Sequence, residues 1–265
     1  MSAAWPPEVA RAAARQGDGT PLRTTRPSPW SGAGRRLFIQ EVGTRDGLQM
    51  ESAFVPTEDK IALVDALSES GLAKIEVTAF VSPKAIPALR DAEIVLREIR
   101  RRPGVVYSAL VPNGRGAERA VDAGVGEMNL VMSASERHNQ ANLRMTRDQS
   151  FAALTEVAGV AALAEVPVNV SLSCAFGCPM EGDVPGPVVL EWCARHIEQL
   201  GARGITLCDT TGMAWPTQVH GLVRAFRERW PRTELTLHFH NTRGMGLANV
   251  LAAIDAGADR FDASI

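Results

Sequence analysis

Aromatic residues are scarce. They make up 5% of the 265-residue chain, and tyrosine occurs once. Any core must therefore be largely aliphatic. The chain also lacks a surplus of one charge. With a formal net charge of −2, nothing argues for a nucleic-acid partner or a membrane surface. No apolar run approaches the ~20 residues that a bilayer-spanning helix needs. Cysteines number four (Cys174, Cys178, Cys193 and Cys208), and no secretory signal is evident. That combination argues against a disulfide framework and fits reduced thiols in the cytoplasm. Cys174 and Cys178 stand four apart, but a structural zinc site calls for a second pair, and none is evident. No Gly-x-Gly-x-x-Gly fingerprint follows the first apolar segment, which argues against a dinucleotide fold.

The first 35 residues differ from the rest. Arg11, Arg15, Arg23, Arg26 and Arg35 sit among prolines, with little apolar periodicity. A disordered leader is expected there. The alternative is an Arg-rich mitochondrial transit peptide, against which Glu8 and Asp18 speak. From Leu37 onward, a short apolar segment followed by a longer one of helical period recurs. Strands are predicted over 37–43, 74–79, 105–111, 127–133, 167–174, 204–209, 235–242 and 260–265. Helices are predicted over 57–70, 83–101, 114–123, 147–164, 186–200, 216–229 and 246–256, with Gly71 stopping the first. Strands that alternate with helices imply a parallel sheet joined by crossovers. Eight such units at this length favour a closed (β/α)₈ barrel, a TIM barrel, over residues 36–265.

Strand parity sharpens the expectation. Glu41, Glu76, Thr78, Asn129, Ser133, Asn169, Ser171, Ser173, His238, His240, Asp262 and Ser264 fall on one parity of their strands. The other parity is apolar, as in Ile75 and Val77 or Leu237 and Phe239. One face would pack under helices and the other would line the lumen, which in a barrel is ordinarily filled by branched apolar residues. A polar lumen implies a charged or hydrated site, because each buried polar group without a partner costs ~1–3 kcal/mol. A metal and its substrate would satisfy several of them. The chain stops at Ile265, ahead of a helix that would cover Phe261, Ala263 and Ile265. The expectation is a barrel lacking its last helix and C-terminal region.

Two stretches carry the chemistry. In Leu235-Thr-Leu-His-Phe-His-Asn-Thr242, read as a strand, His238 and His240 project from one side and can ligate one metal ion. Thr44-Arg-Asp-Gly-Leu-Gln49 follows the first strand and would sit at the C-terminal face, where barrel active sites are built. Asp46, His238 and His240 together would suit Mg²⁺, Mn²⁺ or Zn²⁺. Glu76 points to the polar side, either towards the site or as the partner of Arg45. Asp209, which ends the sixth strand, would position substrate or cap its loop. His196 and His220 lie on predicted helices and read as structural. His138 falls in a polar loop after the fourth strand, where it could contact substrate.

The motifs Glu41-Val-Gly-Thr-Arg-Asp-Gly-Leu-Gln49, Ile75-Glu-Val-Thr-Ala-Phe-Val-Ser-Pro-Lys84, Val111-Pro-Asn113, Ser173-Cys-Ala-Phe-Gly-Cys178, Asp209-Thr-Thr-Gly212 and His238-Phe-His-Asn-Thr242 occur together in this chain. In this combination the chain, from about Leu37 to Ile265, resembles the 3-hydroxy-3-methylglutaryl-CoA lyase family. The resemblance implies a retro-Claisen cleavage of the thioester to acetyl-CoA and acetoacetate, assisted by a divalent cation, Mg²⁺ or Mn²⁺ with Zn²⁺ as a further option. It makes Asp46, His238 and His240 the metal ligands. It makes Arg45, Glu76 and Asp209 catalytic, with Arg45 on the developing enolate. Gln49, Asn113, Ser173 and Thr242 become substrate contacts. It also implies a small-molecule acyl-CoA partner, a homodimer of the full-length protein, and a cytoplasmic setting or, in a eukaryote, the mitochondrial matrix. Three departures stand out. The family's fourth metal ligand, an Asn beyond the eighth strand, is absent here, as is its Gly-rich loop with a catalytic Cys. Asn241 stands where lyases of the family often carry Asp. The alternatives are a lyase or Claisen-type synthase for a different 3-hydroxyacyl-CoA or a related 2-oxo acid, and a catalytically impaired fragment.

Overall fold

The computed structural model describes Gly34 and residues 36–265. Apart from Gly34, the expected leader over residues 1–35 lies outside the described residues. The described chain forms eight strands: β1 (Phe38–Glu41), β2 (Lys74–Ala79), β3 (Val106–Leu110), β4 (Glu127–Ser133), β5 (Val168–Ser173), β6 (Gly204–Asp209), β7 (Glu234–Phe239) and β8 (Arg260–Ala263). They pair in chain order, and β8 returns to β1 in parallel through Phe38↔Arg260 and Gln40↔Asp262. The sheet is the closed barrel the alternation predicted.

Helices α1 (Thr57–Ser68), α2 (Ala92–Glu98), α3 (Gly114–Asp122), α4 (Glu136–Leu143), α5 (Arg147–Leu163), α6 (Gly186–Ala194), α7 (Pro216–Arg229) and α8 (Gly246–Ala256) lie between the strands. Local chemistry sets their ends. Thr146 and Gln149 form a reciprocal capping box at the start of α5, at 3.2 and 2.9 Å. Gly257, at φ +109°, closes α8 in the left-handed region. The predicted helix over 83–101 is shorter. Pro87–Leu89 forms a 3₁₀ turn ahead of α2, because proline cannot donate into a helix interior.

Between barrel and helices the core is aliphatic, as the shortage of aromatics requires. Ile75, Met128, Leu130, Val170, Leu172, Ile205, Leu207, Leu235 and Leu237 are fully buried against Val64, Leu96, Val157, Val189 and Phe226. Each such side chain contributes about 1.5–3 kcal/mol by leaving water. At the chain's end Phe261 is buried, whereas Ala263 and Ile265 are exposed.

The lumen is polar, but protein groups satisfy it. Asn129 Nδ2 donates to Glu76 Oε1 (2.9 Å), and Asn169 Nδ2 donates to Asn129 Oδ1 (3.0 Å) and Thr206 Oγ1 (2.9 Å). Gln40 Nε2 donates to Thr236 Oγ1 at 2.9 Å, and Lys74 Nζ meets Glu127 Oε1 at 2.5 Å. Two parity expectations are corrected. Gln40 and Val42 line the lumen, while Glu41 accepts from Gly43 N at 2.6 Å beside the turn that follows. A register shift between Glu76 and Thr78 sets Thr78 opposite Ala109, a residue of the helix-facing core. The bulge interrupts the alternation that would have put Thr78 beside Glu76.

Candidate active site

The segment after β1 does not enter a loop directly. Gly43–Gly47 winds into a π-helical turn, and Leu48–Met50 follows as a 3₁₀ turn. Arg45 and Asp46 are thereby set above the C-terminal end of the barrel. Thr44 Oγ1 donates to the Glu76 carbonyl at 2.7 Å and ties the turn to β2. Arg45 Nη2 reaches Glu76 Oε2 at 2.8 Å, and Nη1 reaches Asp46 Oδ1 at 2.6 Å. Burial opposes the Arg45 charge, but the carboxylates of Glu76 and Asp46 outweigh it and hold the guanidinium pKa above its ordinary value. Arg45 is therefore a fixed cation, pinned from two sides.

On β7, His238 and His240 do point the same way: their Nε2 atoms stand 3.2 Å apart. His238 Nδ1 is engaged by Asp262 Oδ2 at 3.0 Å, across the β7–β8 pairing. That bond leaves Nε2 as the nitrogen turned to the shared point. Burial lowers the His238 pKa, but Asp262 overcomes it and the net shift is upward. His240 is lowered, by burial and then by the His238 charge.

The expected His/His/Asp triad is not ready-made. Among the described residues no three His, Cys, Asp or Glu groups stand together as a metal site. The physical reason is that Asp46 Oδ1 is taken by Arg45 and, at 3.3 Å, by Gln49 Nε2. The donor set still fits a divalent cation. Two converging imidazole nitrogens and a neighbouring carboxylate are borderline-to-hard donors, and the second nitrogen of His238 is already oriented.

The other sequence-predicted residues fall into two groups. Asp209 stands at the end of β6, where its Oδ1 accepts from Met213 N (2.7 Å) and Ala214 N (3.1 Å) and so caps the loop. Its buried Oδ2 has no hydrogen-bond partner, and burial raises its pKa. Thr242 is exposed and packs close to Gly212. A Cβ on Gly212, which sits at φ +68°, would come within 2.7 Å of the Thr242 side chain. Ser173, half-buried, ends β5, and its carbonyl accepts from Ala134 N at 2.9 Å. Asn113 is the N-cap of α3, its side chain accepting from Gly116 N at 2.9 Å. Asn241, four residues before the N-cap Met245, accepts from the first N–H of α8, Gly246 N, at 2.9 Å.

His138 is not in a loop. Its residue range forms α4, whose N-cap Ser135 accepts from His138 N, and the ring Nδ1 is buried without a partner. His196 is buried among Phe151 and Trp192, and His220 pairs with Asp255 at 3.1 Å on the outer surface, as structural residues would. All four cysteines are free and buried. Asp262 holds a place in the site that its own strand does not signal. Its parity marks it as polar-facing, and the signal that points to His238 is the adjacency of β7 and β8.

A closed parallel barrel with an arginine, carboxylates and paired imidazoles at its C-terminal mouth defines a barrel enzyme, here a carbon–carbon lyase. The chain belongs to the HMGL-like family, whose model matches residues 36–265. It is 44% identical over 230 residues to the hydroxymethylglutaryl-CoA lyase YngG of Bacillus subtilis, covering 87% of this chain and 77% of the relative. It is 40% identical over 231 residues to the 3-hydroxy-3-isohexenylglutaryl-CoA/hydroxy-methylglutaryl-CoA lyase of Pseudomonas aeruginosa, with the same coverage of both. Among solved structures it is similar to an HMG-CoA lyase from Acenitobacter baumannii in complex with coenzyme A and 3-methylmalate. That match has a TM-score of 0.82 and 49% identity, over 87% of this chain and 75% of that one.

Proposed function

We propose that the chain cleaves 3-hydroxy-3-methylglutaryl-CoA to acetyl-CoA and acetoacetate, with a divalent cation held by Asp46, His238 and His240. The observation that carries the reading is the Arg45 guanidinium, held by Asp46 and Glu76, in the electrostatic reach of a histidine whose Nε2 faces a second Nε2 at 3.2 Å. Mg²⁺ or Mn²⁺ would serve, with Zn²⁺ as a further option; when bound, the cation would supply Lewis-acid polarisation of substrate oxygens. The reaction removes the 3-hydroxyl proton, breaks the C2–C3 bond, leaves the electron pair on the thioester enolate, and returns a proton to C2. Arg45 stabilises the negative charge on the enolate oxygen. Glu76 acts through Arg45 by holding it in place. Asp209 exchanges a proton with substrate at its Oδ2, the atom without a partner. Gln49, Ser173 and Thr242 border the substrate, and Asn113 shapes the rim through α3. The same reading extends to a homodimer and to a cytoplasmic or matrix setting.

The test is release of acetoacetate from the thioester by the purified protein with Mg²⁺ or Mn²⁺. The name of the Pseudomonas relative favours a second substrate, a glutaryl-CoA with a longer 3-substituent. The assay therefore carries both. No product from either thioester overturns the reading, and product from the longer one alone changes the substrate.

A further inference from the structure

The loops after β6 and β7 are locked together at the barrel mouth. His240 N donates to the Asp209 carbonyl at 3.4 Å, and Thr242 packs against Gly212. Past Thr242 the chain turns back. Gly244 N donates to the Asn241 carbonyl at 3.0 Å, and Gly244 takes the left-handed φ of +70°. Asn241 Oδ1 braces the turn by accepting from Gly246 N at 2.9 Å. Arg243 stands in this turn. It is exposed, and among the described residues no carboxylate, carbonyl or ring holds its guanidinium. Its charge still reaches Asp209. Burial raises the Asp209 pKa, and the Ala214 and Met213 N–H groups, His240 and Arg243 oppose that rise.

We propose that Arg243 receives the free carboxylate of the substrate's acyl group, at C5, and so selects acids over neutral thioesters of the same shape. The inference rests on the lyase reading above and adds a specificity-determining residue to it. The first argument is charge. Asp46, Glu76, Asp209 and Asp262 bring four carboxylates to the mouth, and Arg45 is pinned between two of them. Both imidazoles must be neutral to hold a cation. A divalent cation then leaves no surplus of positive charge, even with a proton on Asp209. A substrate with a free carboxylate adds one more negative charge, and an ion that leaves water without a partner is costly. Arg243 supplies the missing charge. Its planar fork also matches a carboxylate with two parallel N–H donors.

The second argument is position. Around the mouth stand Asp209 at the end of β6, the histidines on β7, Asp262 on β8 and Arg45 in the turn after β1. Arg45 takes the thioester side of the bond that breaks. The free carboxylate lies on the other side of C3, and Arg243 stands on the Asp209 side of the histidines, away from Arg45. The carboxylate keeps its charge from substrate to acetoacetate. Arg243 therefore holds ground state and transition state alike, which sets KM and leaves kcat alone.

The test compares wild type with Arg243→Gln and Arg243→Lys. In steady-state cleavage, Arg243→Gln is expected to raise KM at least about ten-fold with kcat within about two-fold, and Arg243→Lys to recover part of the loss. Calorimetric titration in Mn²⁺ uses two probes, the free acid 3-hydroxy-3-methylglutarate and CoA, which has no such carboxylate. Arg243→Gln is expected to weaken the acid at least about ten-fold and to leave CoA within about two-fold of wild type. Circular dichroism of each variant confirms the fold. Unchanged KM and unchanged acid affinity in Arg243→Gln overturn the inference and leave the lyase reading intact. An equal loss for CoA also overturns it, because Arg243 would then serve the phosphates. A wild-type chain that cleaves no thioester but binds the acid through Arg243 overturns the lyase reading and keeps the carboxylate site. A wild-type chain that neither cleaves the thioester nor binds the acid overturns both.

Discussion

His238 Nδ1 and Asp262 Oδ2 stand 3.0 Å apart on adjacent strands, and this bond decides which histidine nitrogen faces the site. Groups that hold a metal-binding imidazole from behind are commonly worth ~10–100-fold in metal affinity or activity. Asp262→Asn keeps the size and a hydrogen-bonding group but loses the charge that orients His238. The expected outcome is a ~10-fold or greater loss of Mn²⁺ affinity by calorimetry, with an unchanged melting temperature. Affinity equal to wild type would show that Asp262 plays no part in holding His238.

Arg45 and Glu76 act as one unit, since Glu76 Oε2 is bound to Arg45 Nη2 at 2.8 Å. Arg45→Gln is expected to lower kcat/KM by ~10²–10³-fold, the usual cost of losing one donor to a developing oxyanion. Glu76→Gln should cost less, because the guanidinium remains. The double variant should be no worse than Arg45→Gln alone. Strict additivity in this cycle would mean that Glu76 has a role apart from Arg45.

Much of this was legible in the sequence, and the failures have local causes. The barrel showed in the alternation of short apolar segments with helical ones, which Gly71 and Gly257 punctuate. The shared side of His238 and His240 followed from strand geometry alone. Helix α4 was missed because Glu136-Arg-His-Asn-Gln-Ala-Asn-Leu143 has no apolar stripe. The Ser135 cap and the left-handed Arg144 (φ 58°), which delimit it, leave no hydrophobic period. The bulge at Glu76/Thr78 was invisible because both parities of β2 are buried. The capture of Asp46 by Arg45 is a choice of side-chain rotamers within one turn, and no spacing rule encodes it. Asn113 and Asn241 illustrate a further ambiguity: an Asn beside a barrel mouth serves equally as ligand or as acceptor for a helix's first N–H groups, and both accept such a bond.

Lys74 and Glu127 form a buried pair at the base of the lumen, with side chains 9% and 7% exposed. Burial still raises the Glu127 pKa despite the lysine. Lys74→Met leaves a buried carboxyl without its partner, at a cost of about 3–5 kcal/mol. Adding Glu127→Leu removes the stranded group and should recover most of that loss. Urea unfolding of the two variants checks both statements. A single variant as stable as wild type would show the pair to be dispensable.

The last prediction concerns pH and a residue outside the site. His196 is fully buried in the π-helical turn Arg195–Gln199, its ring 5.4 Å from that of Phe151, and neither ring nitrogen has a partner. Burial, and then the Arg195 charge, push its pKa down to about 3. An unfolded histidine titrates near ~6.5. Below that pH the unfolded chain therefore binds a proton that the folded chain refuses. Stability contributed by a neutral His196 is intact above pH ~6.5 and is lost progressively as pH falls towards the folded value, at up to ~1.4 kcal/mol per unit. Between pH 6 and pH 5 this one residue should cost about 1 kcal/mol. His196→Phe keeps a ring among Phe151 and Trp192 and removes the titration along with both unpaired nitrogens. Urea midpoints measured from pH 7 to pH 5 should fall less steeply for the variant than for wild type. Parallel curves would mean that His196 is protonated in the folded chain, and that its buried nitrogens find partners as the pH drops.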